Sequence, residues 1–410
     1  MHALRFRNYR LYFVGQAISM IGTSAQQVAL AWLVYRLTGS AVLLGVTAFV
    51  SQAPQLLIAP LAGVIVDRHD RRRVLLLVQW LLLTQALILA ALTYTNLIAP
   101  WSIIVMSLIL GLLNSFDAPA RQSLATRLVD HQSALPSAIA LNSVVFNIGR
   151  FVGPPAAGIL LSATSEATCF LVNALSFLGL IQALLRIRVA PHVAPSRAQR
   201  GTFSEGLRYA ASSHPVRTLL SVVGLHNLTV ASYIVVMPAI TAQVFRGNPQ
   251  ILGMLLGAAG LGSLAAAAFL STRRSVLGMP RIGIIGSVGC AVALIAFSFV
   301  EQQTPALILL FIVGFGMTTT NISSNTLLQT LISDQYRGRV MSLYTASVFG
   351  MAAVGGLIIG LLADWLDASC ALTVEGAAFL VAALVLVPQL NRVGRQIGAA
   401  SEGIGSAIAR

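Results

Sequence analysis

Gly63-Val64-Ile65-Val66-Asp67-Arg68-His69-Asp70-Arg71-Arg72-Arg73 closes one long apolar run and opens the next. An acid at a membrane helix end, followed at once by an arginine cluster, fits a tight turn pinned at the cytoplasmic surface. The rest of the chain agrees with a membrane setting. Hydrophobic residues are 57% of 410 positions, charged residues are 9%, and mean hydropathy is +0.83; soluble domains carry roughly 25% charged residues. The sequence reads as an integral membrane protein.

A net charge of +14 would point to nucleic acid only if the basic residues formed a patch on a soluble fold. All 26 are arginine, and almost all fall in alternate loops: Arg5, Arg7 and Arg10; Arg68, Arg71, Arg72 and Arg73; Arg127; the stretch from 186 to 217; Arg273, Arg274 and Arg281; Arg337 and Arg339; Arg392 and Arg395. The positive-inside rule puts these loops and both termini in the cytoplasm, with only Arg36 and Arg246 in opposite-side loops. The charge sets topology and excludes a nucleic-acid partner. Cys169, Cys290 and Cys370 lie in apolar segments without C-x-x-C spacing, so they read as packing residues, and no metal or cofactor is expected. The first apolar stretch carries Gln16, Gln26 and Gln27 and runs on as a full span, which predicts a retained helix and not a cleaved signal.

A bilayer core needs about 20 apolar residues per helix. Twelve segments qualify, near 11–36, 42–66, 74–95, 101–126, 136–162, 168–188, 217–244, 250–271, 281–300, 305–331, 339–363 and 369–388. The expected plan is all-α: an N-terminal six-helix bundle (1–188), a cytoplasmic linker (189–216), a C-terminal six-helix bundle (217–390) and a cytoplasmic tail (391–410). The halves repeat at an offset of roughly 200 residues. Val34-Tyr35-Arg36 with Leu43-Leu44-Gly45 returns as Val244-Phe245-Arg246 with Ile251-Leu252-Gly253, and Ala167-Thr168-Cys169 returns as Ala368-Ser369-Cys370. Six helices plus six related helices is the parallel-repeat plan of transporters with a midplane site between halves.

The fifth span contains Gly149-Arg150-Phe151-Val152-Gly153-Pro154-Pro155-Ala156-Ala157-Gly158. Small residues at i and i+4 let helix backbones approach, and proline within a membrane helix frees a carbonyl and permits a bend. Intramembrane charges are expensive, at about 2.5 to 3.5 kcal/mol on insertion scales, so they are expected to face partners or a wet cavity. Ser143, Asn147 and Arg150 form one polar stripe on this span, and Asn114, Asp117 and Arg121 form another on the fourth, with Pro119 between them. Gln16, Thr23 and Gln27 share a face of the first span, His226 and Asn227 lie well inside the seventh, and Glu375 lies within the last. Thus Gln16, Thr23, Gln27, Asn114, Asn147, Arg150 and Asn227 are cavity candidates, and Asp117, His226 and Glu375 are proton-coupling candidates. For Asp117 two readings stand, a protonation site or a member of an ion-pair lock. Arg150 reads either as a cavity cation or as a structural arginine on helix carbonyls.

These stretches carry a resemblance. The arginine turn resembles the loop between helices 2 and 3 of the major facilitator superfamily, Gly-x-x-x-Asp-Arg-x-x-Arg-Arg, with Asp70 where much of the superfamily has glycine. The fifth-span run resembles its antiporter motif at Gly149, Gly153, Pro154 and Gly158, with Ala157 replacing one glycine. Phe116-Asp117-Ala118-Pro119-Ala120-Arg121-Gln122, Asn325-Thr326-Leu327-Leu328-Gln329 and Arg337-Gly338-Arg339-Val340-Met341-Ser342-Leu343-Tyr344 are similar to the enterobactin-exporter branch, which also holds macrolide-type efflux pumps. The resemblance implies a gate at Gly63, Asp67, Arg68, Arg71, Arg72 and Arg121, and proton-driven export of a siderophore, drug or other amphipathic natural product by a monomer in the cytoplasmic membrane. The competing reading is a proton-coupled importer of a small metabolite, since importers share the arginine turn. No H-E-x-x-H and no nucleophile elbow is present, so the chain does not read as an enzyme, and a chain without lysine has no Walker-type ATP loop.

Overall fold

The computed structural model describes residues 2–125, 128, 135–187, 203–273 and 275–408. Among them all regular structure is helical, as predicted. After a short 3₁₀ turn (His2–Arg5), α1 (Arg7–Thr38), α2 (Ala41–Arg68), α3 (Arg71–Tyr94), α4 (Pro100–Ala125), α5 (Leu135–Ala163) and α6 (Glu166–Arg186) form the first six spans. Then follow α7 (Phe203–Ser212), α8 (His214–Thr229), α9 (Tyr233–Gln243), α10 (Pro249–Ser271), α11 (Met279–Ser298), α12 (Gln303–Leu331), α13 (Asp334–Trp365) and α14 (Ala368–Ile408). Eleven of the resulting segments are long and apolar enough to cross a bilayer, with α8 and α9 acting as one, and a shorter apolar stretch, Ile148–Ala163 of α5, supplies the twelfth.

Local chemistry explains the ends. Gly39 ends α1 in the left-handed conformation (φ 64°), its N–H donating to Tyr35 O at 2.7 Å, a geometry that favours glycine. Ser40 then caps α2 by accepting from Leu43 N. The internal repeat shows at two later starts: Ser165 Oγ accepts from Thr168 N before α6, and Asp367 Oδ1 accepts from Cys370 N before α14. That backbone donor holds the Asp367 carboxyl below the usual carboxylate range.

Two differences from the expected elements stand out. The seventh span is not continuous: α8 ends at Thr229 and α9 begins at Tyr233, with the break at residues 230–232. Pro238 lies inside α9 and is not the cause. Instead Ser232 Oγ bonds Thr229 O at 2.7 Å, a side-chain competitor for helical pairing placed beside β-branched Thr229 and Val230. The first half of the predicted linker 189–216 falls outside the described residues, and its described half is helical. There α7 packs Tyr209 on Tyr336 (4.3 Å between centroids, 11°), and Glu205 pairs with Arg339 at 2.7 Å.

The helices divide into two compact units, Met1–Ala198 with Val235–Gly257, and Gln199–Ile234 with Ala258–Arg410. In the first, glycines set the closest approaches: a Cβ on Gly15 would stand 3.0 Å from Leu180 Cα, and one on Gly111 would stand 2.6 Å from Ser51 O. In the second, a Cβ on Gly316 would stand 2.5 Å from Gly286 O, closing α11 on α12. Outward faces carry Leu57, Leu81, Leu175, Ile285 and Val381, a surface suited to lipid.

Candidate functional site

The arginine turn is built by capping. Asp70, the departure from the superfamily pattern, is the N-cap of α3, accepting from Arg72 N at 2.9 Å and Arg73 N at 3.3 Å. A side-chain acceptor in this position does locally what a glycine turn achieves by backbone freedom. Arg72 donates from Nε to Leu184 O (2.6 Å) and from Nη2 to Leu185 O (3.0 Å), tying the turn to the C-terminal end of α6, where carbonyls lack helical partners. Arg68 is exposed and Arg71 half-buried. A Cβ on Gly63 would meet nothing within 4 Å, so this conformation does not itself require glycine there. The side chain of Asp67 lies outside the described residues. Asp70→Ala should lower thermal stability in detergent by about 0.5 to 2 kcal/mol, with Asp70→Asn close to wild type; equal losses in both would remove the cap.

Inside the first unit α4 delivers Asp117 and Arg121, both buried, as an i,i+4 ion pair. Gln79 of α3 donates to Asp117 Oδ1 at 2.6 Å, and Tyr12 of α1 donates to the Arg121 carbonyl at 3.5 Å. Higher in the same unit Gln26 donates to Gln85 Oε1 at 3.3 Å and Asn173 donates to Gln26 Oε1 at 2.7 Å. Helix register orders these contacts: the Tyr12 to Arg121 pairing puts Gln16 level with Asp117, and Ser19 level with Asn114. Gln16 Oε1, Ser19 Oγ, Gln79 Oε1 and Arg121 Nη1 are all buried without a hydrogen-bond partner among the described residues. A tract of polar atoms therefore runs through the membrane interior of this unit at the level of the acid, and such groups normally hold water or ligand.

The antiporter-like run lies on two faces of α5. Gly149 and Gly153 pack on α1 at Met20, Ile21 and Ser24, whereas Gly158 packs on α10. A Cβ on Gly158 would stand 2.8 Å from Pro249 O, and one on Gly253 would stand 2.5 Å from Pro154 O and 2.9 Å from Gly158 Cα. The same region joins Gln243 Nε2 to Tyr35 Oη at 2.9 Å. The two prolines free the carbonyls of Arg150 and Phe151, one turn before the Pro154 carbonyl that Gly253 lets α10 approach. Arg150 is exposed, and the side chain of Asn147 lies outside the described residues. Thr23 and Asn114 are half-buried, Gln27 is exposed, and Gln16 is sequestered, so the first-span stripe is split between interior and surface.

In the second unit Asn227 donates to Val223 O (2.8 Å) and Asn321 Oδ1 (3.2 Å). His226 is fully buried, edge-on to Phe379 with centroids 5.1 Å apart, and its Nδ1 lies 4.0 Å from Cys290 Sγ. Glu375 is buried against Ser232. Sequence reasoning passed over Gln79, Gln85, Asn173 and Ser232. The available signal was an amide or hydroxyl in a long apolar run, which is costly unless paired.

The Transmembrane secretion effector family model matches residues 1–399. The staphyloferrin A transporter of Staphylococcus aureus is 26% identical over 357 residues, covering 87% of this chain and 89% of that protein. Macrolide efflux protein A of Streptococcus pyogenes is 23% identical over 415 residues, covering 95% and 98%. A bacterial homologue of the human lysosomal transporter Spinster, solved inward-facing and occupied, superposes with TM-score 0.73 at 13% identity over 95% of this chain and 97% of that one, which establishes the fold. With twelve apolar spans, an arginine turn after the second and a glycine-proline fifth span, the chain belongs to the Transmembrane secretion effector family of the major facilitator superfamily.

Proposed function

We propose that this multi-pass membrane transporter is a proton-coupled exporter of a siderophore, drug or related amphipathic natural product. The observation that carries the reading is the α5 to α10 contact, in which Gly158, Gly253 and the Pro154 carbonyl form a backbone-to-backbone seam of very low thickness. A seam of this kind separates as a unit and closes dry, which suits a barrier that keeps released cargo from returning. Efflux relatives support the direction, and the siderophore transporter among the relatives supports the cargo class. On this reading Asp117 is the proton site of the first unit, Arg121 and the arginine turn serve the gate, and the polar tract around Gln16 and Asn114 receives cargo or water. His226, held between Phe379 and Cys290, acts in packing.

Vesicles with an imposed pH gradient should accumulate cargo, and a protonophore should abolish that accumulation. Protonophore-insensitive transport would remove antiport, and uptake in the opposite sense would favour the importer. The reading also orients the chain with both termini and the linker in the cytoplasm. A membrane-impermeant maleimide added to intact cells should then label native Cys370, which is exposed, and should miss a cysteine placed at Ser212 on α7. Ready labelling at 212 would invert the topology.

A further inference from the structure

We infer that Glu375 is a proton-binding latch on the hinge of the seventh span, holding residues 230–232 closed through Ser232 when the carboxyl is protonated. Ser232 Oγ lies 2.7 Å from Thr229 O and 2.5 Å from Glu375 Oε2, and Ser232 and Glu375 are both buried. A hydroxyl carries one proton, a carbonyl only accepts, and an ionised carboxylate only accepts. With Glu375 ionised, one of these two short oxygen contacts would have no proton in it. Both are hydrogen bonds only when Glu375 donates to Ser232 Oγ and Ser232 donates to Thr229 O.

Loss of that proton to water therefore has a mechanical result. The carboxylate takes the Ser232 hydrogen, and the Thr229 carbonyl at the end of α8 loses its partner inside the bilayer, where an unpaired carbonyl is costly. The hinge is then free to change its bend. Its place in the chain gives the bend leverage, because the chain passes from one compact unit to the other after Ile234, two residues beyond the break.

The surroundings leave Glu375 as the group that switches. Of the helices packed on α14, α8 presents His226 to Phe379, one turn deeper than Glu375, and α11 presents Cys290 to that histidine. On α13, Asp364 is exposed near the helix end, and Asp367 lies about 12 Å along the axis from Glu375. The arginines of these elements, Arg217, Arg281, Arg337, Arg339, Arg392 and Arg395, belong to the opposite ends of their helices. Thr373, two residues before Glu375, pairs with Ser298 and carries no charge.

The inference rests on the proposed antiport only for its link to transport. Its test uses the full-length protein in liposomes across a pH series, without cargo. Infrared difference spectra should contain a protonated-carboxyl C=O band that is absent in Glu375→Gln and shifted in Ser232→Ala. Hydrogen exchange of the 230–232 amides, corrected for intrinsic rates, should rise at least tenfold towards alkaline pH in wild type. It should stay low in Glu375→Gln, whose amide keeps donating to Ser232, and stay high at every pH in Ser232→Ala. Absence of a Glu375-dependent band, or hinge exchange in Glu375→Gln that follows pH as in wild type, overturns the latch; if the glutamine variant does not fold, pH-dependent exchange persisting in Ser232→Ala overturns it equally. Protonophore-insensitive cargo movement with these signatures intact would remove antiport and leave the latch, whereas antiport without them would remove the latch alone.

Discussion

Asp117→Ala is expected to lower stability in detergent by about 3 to 5 kcal/mol, because it strands the Arg121 guanidinium in a buried site. Asp117 is the counter-charge of Arg121 and the acceptor for Gln79, so one truncation removes both contacts. Exchanging both charges for apolar side chains, Asp117→Leu with Arg121→Met, should recover most of the loss, since a buried pair is often no more stable than a packed apolar pair. Transport should not recover with it. Asp117→Asn, which keeps the shape and a link to Gln79, should fold, lose gradient-driven transport by at least tenfold and retain cargo exchange. A double variant as unstable as the single one would mean that packing, and not charge, sets the cost. Gradient-driven transport in Asp117→Asn would move the proton elsewhere in the chain.

Gly253→Leu should be nearly as damaging to transport, for a steric reason. The added side chain would start 2.5 Å from Pro154 O and 2.9 Å from Gly158 Cα, both backbone atoms that have no rotamer to relieve the clash. Overpacking of this kind costs about 1 to 3 kcal/mol in a core. Here the cost falls on the conformation in which α5 and α10 touch, so the protein should remain monodisperse while turnover falls at least tenfold. Gly278→Ala, which would meet nothing within 4 Å, is the control and should transport normally. Normal turnover in Gly253→Leu would show that the seam takes no part in the cycle.

The span pattern was legible because bilayer thickness imposes a length and the arginines impose a direction. What escaped were contacts between distant residues. Asp117 drew attention through its charge, but its acceptor role towards Gln79 joins positions 38 apart, and nothing near Gln79 announces a partner. Ser232 was invisible for the same reason, being paired with a glutamate 143 positions away. The seventh span read as one apolar run because its break follows from a hydroxyl and not from proline or glycine. Asp70 was seen as a departure from a motif, when its position one residue before α3 is the ordinary signal of an N-cap. The glycine-proline run was recognisable in α5, yet the sequence did not disclose that Gly158 and Gly253 meet.

That meeting has a bearing on biogenesis. Residues 235–257 cluster with the first unit although they are synthesised after it. When α5 has left the ribosome, the face that Gly158 contributes has no α10 to cover it until synthesis has passed Gly257, roughly 90 residues later. At about 5 to 20 residues per second that interval is about 5 to 20 s. During it the nascent membrane segment presents that uncovered glycine face beside the Arg150 and Phe151 carbonyls that the two prolines free, a surface on which an insertase or a membrane chaperone has time to act.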